Sequence, residues 1–240
     1  MKSAIITGAS SGIGKAIAYE LAKEKYELLL IARRENLLNE ICEDIRNKFK
    51  TKVNYLIIDL SNRNSNFSFI KDYFLENYDN LNILVNNAGI GYYGEIENLR
   101  MEDIERLFWT NLFSHILITK DLVDIMKKQG FGTIVNIISL IAFFPIKKWS
   151  LYASTKSAQM GFFKSLRREL YRNRIRVINV YPSATETEFF NNLNLPYRFP
   201  QLDKPEKVAK KVVKFIKKNK NAEVFISPLH WLAHKLSVWF

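Results

Sequence analysis

Lys2-Ser3-Ala4-Ile5-Ile6-Thr7-Gly8-Ala9-Ser10-Ser11-Gly12-Ile13-Gly14 opens the chain, one residue after Met1. Its first half is a short apolar run, the pattern of a buried β-strand. Gly8, Gly12 and Gly14 follow, and Ile13, Ile17 and Leu21 recur at the spacing of a helix face. Strand, glycine turn and helix in succession make a cradle for phosphate. Glycines let the backbone approach a pyrophosphate closely, and a helix N-terminus offers unpaired N–H groups and partial positive charge. Gly8, Ser10, Ser11, Gly12, Ile13 and Gly14 are therefore candidate ligands of a dinucleotide. The spacing is Gly-x-x-x-Gly-x-Gly, not the commoner Gly-x-Gly-x-x-Gly.

The next predicted strand is Glu27–Ala32. A dinucleotide fold that binds a free ribose 2′-hydroxyl places an acid about 20 residues after its glycines. Here Ala32 holds that place, followed by Arg33 and Arg34. Two guanidiniums suit a 2′-phosphate, which an acid would repel; the alternative is that they solvate a loop. Glu35 suits the start of the following helix.

The alternation continues. Strands are predicted at Val53–Asp59, Leu81–Val85, Thr133–Ser139, Ile175–Tyr181 and Glu223–Ile226. Helices are predicted over residues 67–78, Met101–Gln129, Tyr152–Arg172 and Lys204–Lys218. Such βα alternation, with strands as apolar as Leu28-Leu29-Leu30-Ile31, predicts an α/β fold: a doubly wound, Rossmann-type parallel β-sheet of about seven strands with helices on both faces. No repeat, low-complexity tract or linker interrupts it. Residues 1–227 read as one domain and residues 228–240 as an aromatic, amphipathic tail.

Further markers fall in order: Asp59-Leu60, Asn86-Asn87-Ala88-Gly89, Asn111, Ser139, Tyr152-Ala153-Ser154-Thr155-Lys156, and Pro182 to Thr187. With the glycine turn, they make the chain resemble the short-chain dehydrogenase/reductases from Lys2 to about Ile226. The resemblance implies hydride transfer between a nicotinamide cofactor, here NADP(H), and a carbonyl/alcohol pair. It implies Tyr152 as acid/base, Lys156 as its partner and ligand of the nicotinamide ribose, and Ser139 as a hydrogen-bond donor to the substrate oxygen. Asn111 would join Lys156 through a water relay; the alternative is a structural amide tying helix to sheet. Asp59, Leu60, Asn87, Ala88, Gly89, Pro182, Thr185 and Thr187 would line the cofactor site, with the choice between Thr185 and Thr187 left open. Relatives usually carry glycine where this chain has Ser183. The chemistry agrees with these roles. A free phenol titrates at about 10; a lysine at i+4 shares its helix face and, with nicotinamide charge nearby in the oxidised complex, favours phenolate.

Charge and composition narrow the class. Lys and Arg number 36 against 24 Asp and Glu, a net charge of +12. Lys207, Lys210, Lys211, Lys214, Lys217 and Lys218 crowd one predicted helix, and Arg167, Arg168, Arg172, Arg174 and Arg176 crowd another stretch. The basic field reads as a solvated face, or as a dock for an acidic carrier protein or anionic lipid. No helix-turn-helix, zinc-finger or RNP signature points to nucleic acid. The single cysteine, Cys42, fits a reducing, cytoplasmic compartment. The N-terminus enters a strand at once, against a signal peptide, and no apolar run reaches the ~18 residues of a membrane span. In the tail, Leu229, Leu232, Ala233, Leu236, Trp239 and Phe240 keep helical spacing. Packing against the domain or a partner subunit, walling the pocket, and peripheral membrane contact are the alternatives. His230 and His234 lack a third ligand, so no metal is expected.

Around the expected nicotinamide mouth the residues are apolar. They are Ile90, Tyr92 and Tyr93; Leu140, Ile141, Phe143, Phe144 and Pro145; Trp149; and Phe189, Phe190, Leu193, Leu195, Pro196, Tyr197 and Phe199. Lys147, Lys148 and Arg198 are the nearby cations, turned either inward or to solvent. A hydrophobic ketone or aldehyde, of lipid, steroid-like or acyl-chain type, is the expected substrate over a sugar or hydroxy acid. A 3-oxoacyl-(acyl-carrier-protein) reductase is the alternative, and a non-catalytic NADP-binding regulator the rival from another class. A homodimer or homotetramer is the expected assembly.

Overall fold

The structure, a computed structural model, describes residues 1–191, 193, 195–197, 199 and 201–227. Strands β1 (Ser3–Thr7), β2 (Glu27–Ala32), β3 (Val53–Ile57), β4 (Leu81–Asn86), β5 (Gly132–Ile137), β6 (Ile175–Tyr181) and β7 (Ala222–Phe225) form one sheet. Its order is β3-β2-β1-β4-β5-β6-β7, and every neighbouring pair is parallel. The connecting helices are α1 (Gly12–Lys23), α2 (Glu35–Phe49), α3 (Ser68–Asn77), α4 (Met101–Phe108), α5 (Ser114–Gln129), α6 (Ser150–Glu169) and α7 (Pro205–Lys217).

Alternation along the strands builds two cores. Ala4, Ile6, Leu28 and Leu30 pack beneath α1, α2 and α7. Ile5, Leu29 and Ile31, the intervening residues, face α3, α5 and α6. Successive Cβ atoms point to opposite faces, so a strand covered on both sides must be apolar throughout. Each fully buried Leu or Ile contributes about 1.5–3 kcal/mol.

Two predicted helices differ in detail. The expected helix from Met101 to Gln129 is widened by a π-helical turn, Trp109–Phe113, between α4 and α5. Hydroxyls back-bond to the helix there, Thr110 Oγ1 to Arg106 O at 2.8 Å and Ser114 Oγ to Thr110 O at 3.0 Å; such bonds bend helices. The helix expected over Tyr152–Arg172 runs instead from Ser150 to Glu169, and Arg174 takes the left-handed conformation at φ 58°. The second basic stretch is only partly a surface. Arg167 pairs with Glu223 at 2.5 Å and Arg176 donates to Ile216 O. By contrast, Lys207, Lys210, Lys214 and Lys217 on α7 and Lys218 at its C-terminal cap are exposed. The aromatic tail, residues 228–240, and the nearby cation Arg198 lie outside the described residues.

The strand order reverses between β1 and β4, the crevice where open α/β sheets bind ligands. Beside it, a polar ladder crosses the sheet. Asn86, Asn136, Asn179 and Glu223 are in register on four consecutive strands. Asn86 Nδ2 donates to Asn136 Oδ1 and Asn136 Nδ2 to Asn179 Oδ1, both at 3.0 Å. Thr119 of α5 accepts from Asn86, and Arg167 of α6 pairs with Glu223. Asn136→Ala is expected to lower stability by at least about 1–3 kcal/mol, the cost of leaving a buried polar group unpaired. Urea unfolding followed by circular dichroism measures it.

Candidate active site

The crevice opens into a cleft of about 970 Å³. Its floor at one end is the glycine turn. Gly8 sits at φ +64°, and a Cβ there would lie 2.7 Å from Ala88 Cα. A Cβ on Gly14 would come within 2.4 Å of both Asn87 Nδ2 and Gly8 O, so this glycine lets turn, helix and β4 pack together. Thr7 and Asn87 lock the arrangement. Thr7 Oγ1 accepts from the N–H groups of Asn87 and Ala88 at 3.0 and 3.1 Å, and Asn87 Nδ2 donates to Thr7 O and Gly8 O.

Among the residues singled out in the sequence, Gly8, Ser10, Ser11, Gly12, Ile13, Arg33, Arg34, Asp59, Leu60, Asn87, Ala88, Gly89, Ser139, Tyr152, Lys156, Pro182, Thr185 and Thr187 all line this one cleft. Gly14 and Asn111 lie behind the lining. Arg34 reaches across the turn to Ser10 Oγ and Ser11 Oγ, its Nη2 lying 3.0 and 2.7 Å away, and meets Glu188 Oε2 at 2.6 Å. Arg33 is 3.8 Å from Asp59 and mostly exposed. No side chain caps the N-terminus of α1. Open amides, two serine hydroxyls and two guanidiniums form a donor set suited to the phosphates of a dinucleotide.

Ser139, just past the end of β5, lies beside Tyr152, and its hydroxyl accepts from Ile141 N at 3.3 Å. Lys156 Nζ lies 5.9 Å from the Tyr152 ring centroid and donates to Ile137 O at 3.0 Å and Gln159 Oε1 at 3.1 Å. Burial, not Lys156, dominates Tyr152 and raises its phenol above the ordinary range; the neighbouring Ser139 hydroxyl opposes this more weakly. Burial also pulls Lys156 down to about 7. In a low dielectric both charged forms are disfavoured.

Asn111 is fully buried in the π turn. Its Oδ1 accepts from Ile90 N at 2.9 Å, and its Nδ2 donates to Ile90 O and Thr155 Oγ1, each at 3.0 Å. The direct contacts thus tie helix to loop and to α6. Ser183 avoids the left-handed region that glycine favours, and its hydroxyl donates to Asp203 Oδ2 at 2.6 Å. Thr185 is buried and pairs with Asp203 through a bridge, whereas Thr187 stands over Gly12 and accepts from Phe189 N.

The other end of the cleft is aromatic and aliphatic: Ile141, Phe144, Ile146, Trp149, Phe189 and Phe190. The Phe189 ring lies 5.3 Å from that of Tyr152, and Trp149 Nε1 donates to Tyr197 at 3.0 Å. Phe143, expected at this mouth, instead packs on Tyr181 and Phe225. Tyr92 and Tyr93 join the apolar cluster behind the wall. Lys148 is held by Glu95 at 2.8 Å and Lys147 is exposed. Sequence reasoning missed three contributors. Gln159 carried a signal, one helical turn from Lys156 on the same face. His115 and Glu188 come from distant segments and carried none.

A parallel sheet reversing at a glycine turn, with serine, tyrosine and lysine at its C-terminal edge, defines a nucleotide-dependent oxidoreductase site. The family model described as short chain dehydrogenase matches residues 2–198. The chain is 35% identical over 190 residues to the NADP-dependent 3-hydroxy acid dehydrogenase of Schizosaccharomyces pombe, covering 78% of this chain and 73% of that one. It is 33% identical over 188 residues to the 3-oxoacyl-[acyl-carrier-protein] reductase of Aquifex aeolicus, covering 78% and 75%. A short-chain dehydrogenase from Sphingobium yanoikuyae in complex with NADPH superposes with a TM-score of 0.89 at 27% identity, over 100% of this chain and 94% of that one. The chain belongs to the short-chain dehydrogenase/reductase family and is an oxidoreductase acting on CH–OH groups. No helix among the described residues is long and apolar enough to cross a membrane.

Proposed function

We propose that this protein is an NADP(H)-dependent oxidoreductase that interconverts a hydrophobic ketone or aldehyde with its alcohol. One observation carries the reading. A single cleft runs from a phosphate-suited end with Arg33 and Arg34, past Ser139, Tyr152 and Lys156, to an aromatic wall. The nicotinamide, when bound, supplies or accepts the hydride. The chain's own residues do the rest. Ser139 donates to the substrate oxygen and orients Tyr152. Tyr152 gives that oxygen a proton in reduction and takes it back in oxidation. Lys156 contributes positive charge beside the phenol. Thr185 or Thr187 would contact the cofactor at its carboxamide or pyrophosphate. An apolar wall selects for acyl, lipid-like or steroid-like groups over sugars and hydroxy acids.

A 3-oxoacyl-(acyl-carrier-protein) reductase is the second reading. Exposed lysines along α7 suit an acidic carrier, and a relative bears that name.

Tyr152→Phe is expected to reduce turnover by about 10²–10⁴-fold, the usual worth of general acid–base catalysis, with NADPH binding retained by fluorescence titration. Wild-type turnover in this variant would remove Tyr152 from the role. Arg33 and Arg34 predict higher kcat/KM with NADPH than NADH. Ala32→Asp combined with Arg33→Ser should narrow that ratio by about tenfold to a hundredfold, as loss of a charge-assisted contact requires. Efficiency should also rise with chain length across an aldehyde series. A flat series, with strong activity on a small sugar, would overturn the substrate class. Preference for a carrier-bound 3-oxoacyl thioester over the free ketones would favour the second reading.

A further inference from the structure

Behind the cleft, a chain of buried polar contacts leads from Lys156 into the protein. Lys156 Nζ donates to Gln159 Oε1 at 3.1 Å, and Gln159 Nε2 lies 2.8 Å from His115 Nδ1. Gln159 and His115 are fully buried, and Lys156 nearly so. We propose that Gln159 and His115 are positioning residues that fix Lys156 through a neutral-imidazole, amide, ammonium relay. The proposal rests on the reading of Lys156 as part of the catalytic group.

The relay has one allowed polarity. An ammonium only donates, so the amide atom facing it is oxygen. The other amide atom is then NH2, which donates toward His115. Nδ1 must accept, which places the imidazole proton on Nε2. A cationic ring would set donor against donor and break the chain. Burial acts in the same direction, drawing His115 down to about 3.

The geometry also accounts for the lysine's donors. An ammonium carries three N–H groups. Ile137 O and Gln159 Oε1 take two of them, and one is left for the cleft that Lys156 lines. The titratable groups near Lys156 are Tyr152 on its own helix and His115 on α5. No carboxylate among the described residues is ion-paired with it; two neutral acceptors favour its charged form instead. His115 Nε2 is buried without a partner among the described residues. Such a group costs stability, and an apolar side chain at this place would avoid that cost. The relay gives the imidazole a use that core filling alone does not.

Long-range ¹H–¹⁵N spectra of the histidine-labelled full chain test the polarity without any variant. His115 should hold its proton on Nε2 from about pH 6 to about pH 8, across the range where a free imidazole titrates. In Gln159→Glu, a carboxylate that only accepts should move that proton to Nδ1. The same variant should shift the basic limb of kcat/KM for reduction to higher pH. Gln159→Leu removes an acceptor and lowers the lysine's affinity for its proton, so that limb should move down by about one pH unit, with about tenfold lower kcat at pH 8. His115→Leu should move it the same way, and His115→Asn, whose Oδ1 replaces Nδ1, should restore it. A wild-type His115 protonated on Nδ1 or cationic at pH 7 would overturn the relay. So would an unchanged pH profile in a folded Gln159→Leu. Full turnover in Tyr152→Phe would instead sink the catalytic reading and leave the tautomer result standing.

Discussion

The hydroxyl of Thr7 is the point on which the site depends. It is fully buried where β1 ends, donates to Val85 O, and accepts from the N–H groups of Asn87 and Ala88. A parallel sheet whose order reverses leaves two strand ends side by side, with backbone groups that no ladder can satisfy. One threonine oxygen and the Asn87 amide take up several of them. The glycine turn and the loop after β4 are thereby held at a separation that any added Cβ at Gly8 or Gly14 would violate. The opening of the cleft is what remains when those two loops are tied together at their base.

Around that opening, burial sets the chemistry. Tyr152 and Lys156 are both withdrawn from water, and each is pushed toward its neutral form. On an exposed helix a tyrosine and lysine four residues apart would be perturbed only by each other's charge. Here the protein opposes desolvation with polar neighbours: the Ser139 hydroxyl beside the phenol, and Ile137 O and Gln159 Oε1 accepting from the ammonium. The poise of the site is therefore a property of the shell around the pair as much as of the pair itself.

The loop after β6 joins the two ends of the cleft. Ser183 and Thr185 anchor it to Asp203. Glu188 then pairs with Arg34 beside the glycine turn, while Phe189, the next residue, packs against Tyr152. Serine at position 183 costs no backbone strain and gains a hydrogen bond. The departure from the family glycine is accommodated by a partner twenty residues further along.

Much of this was legible in the chain. Strand order of appearance, apolar strands and the glycine turn are local patterns, so the doubly wound sheet could be read from hydrophobic periodicity alone. The spacing of Tyr152 and Lys156, and the position of Ser139 at a strand end, likewise depend only on helix and strand geometry. What the sequence could not determine lies in contacts between distant segments. That Asn111 spends its amide on Ile90 and Thr155, that Phe143 turns to the core rather than the cleft, and that Arg167 faces inward all follow from how helices seat on the sheet. His115 reaches Gln159 across 44 residues, and Arg34 reaches Glu188 across 154. Periodicity assigns a residue to a face of its own element; which atoms it meets there, and how far burial shifts its proton, are decided only when the elements pack.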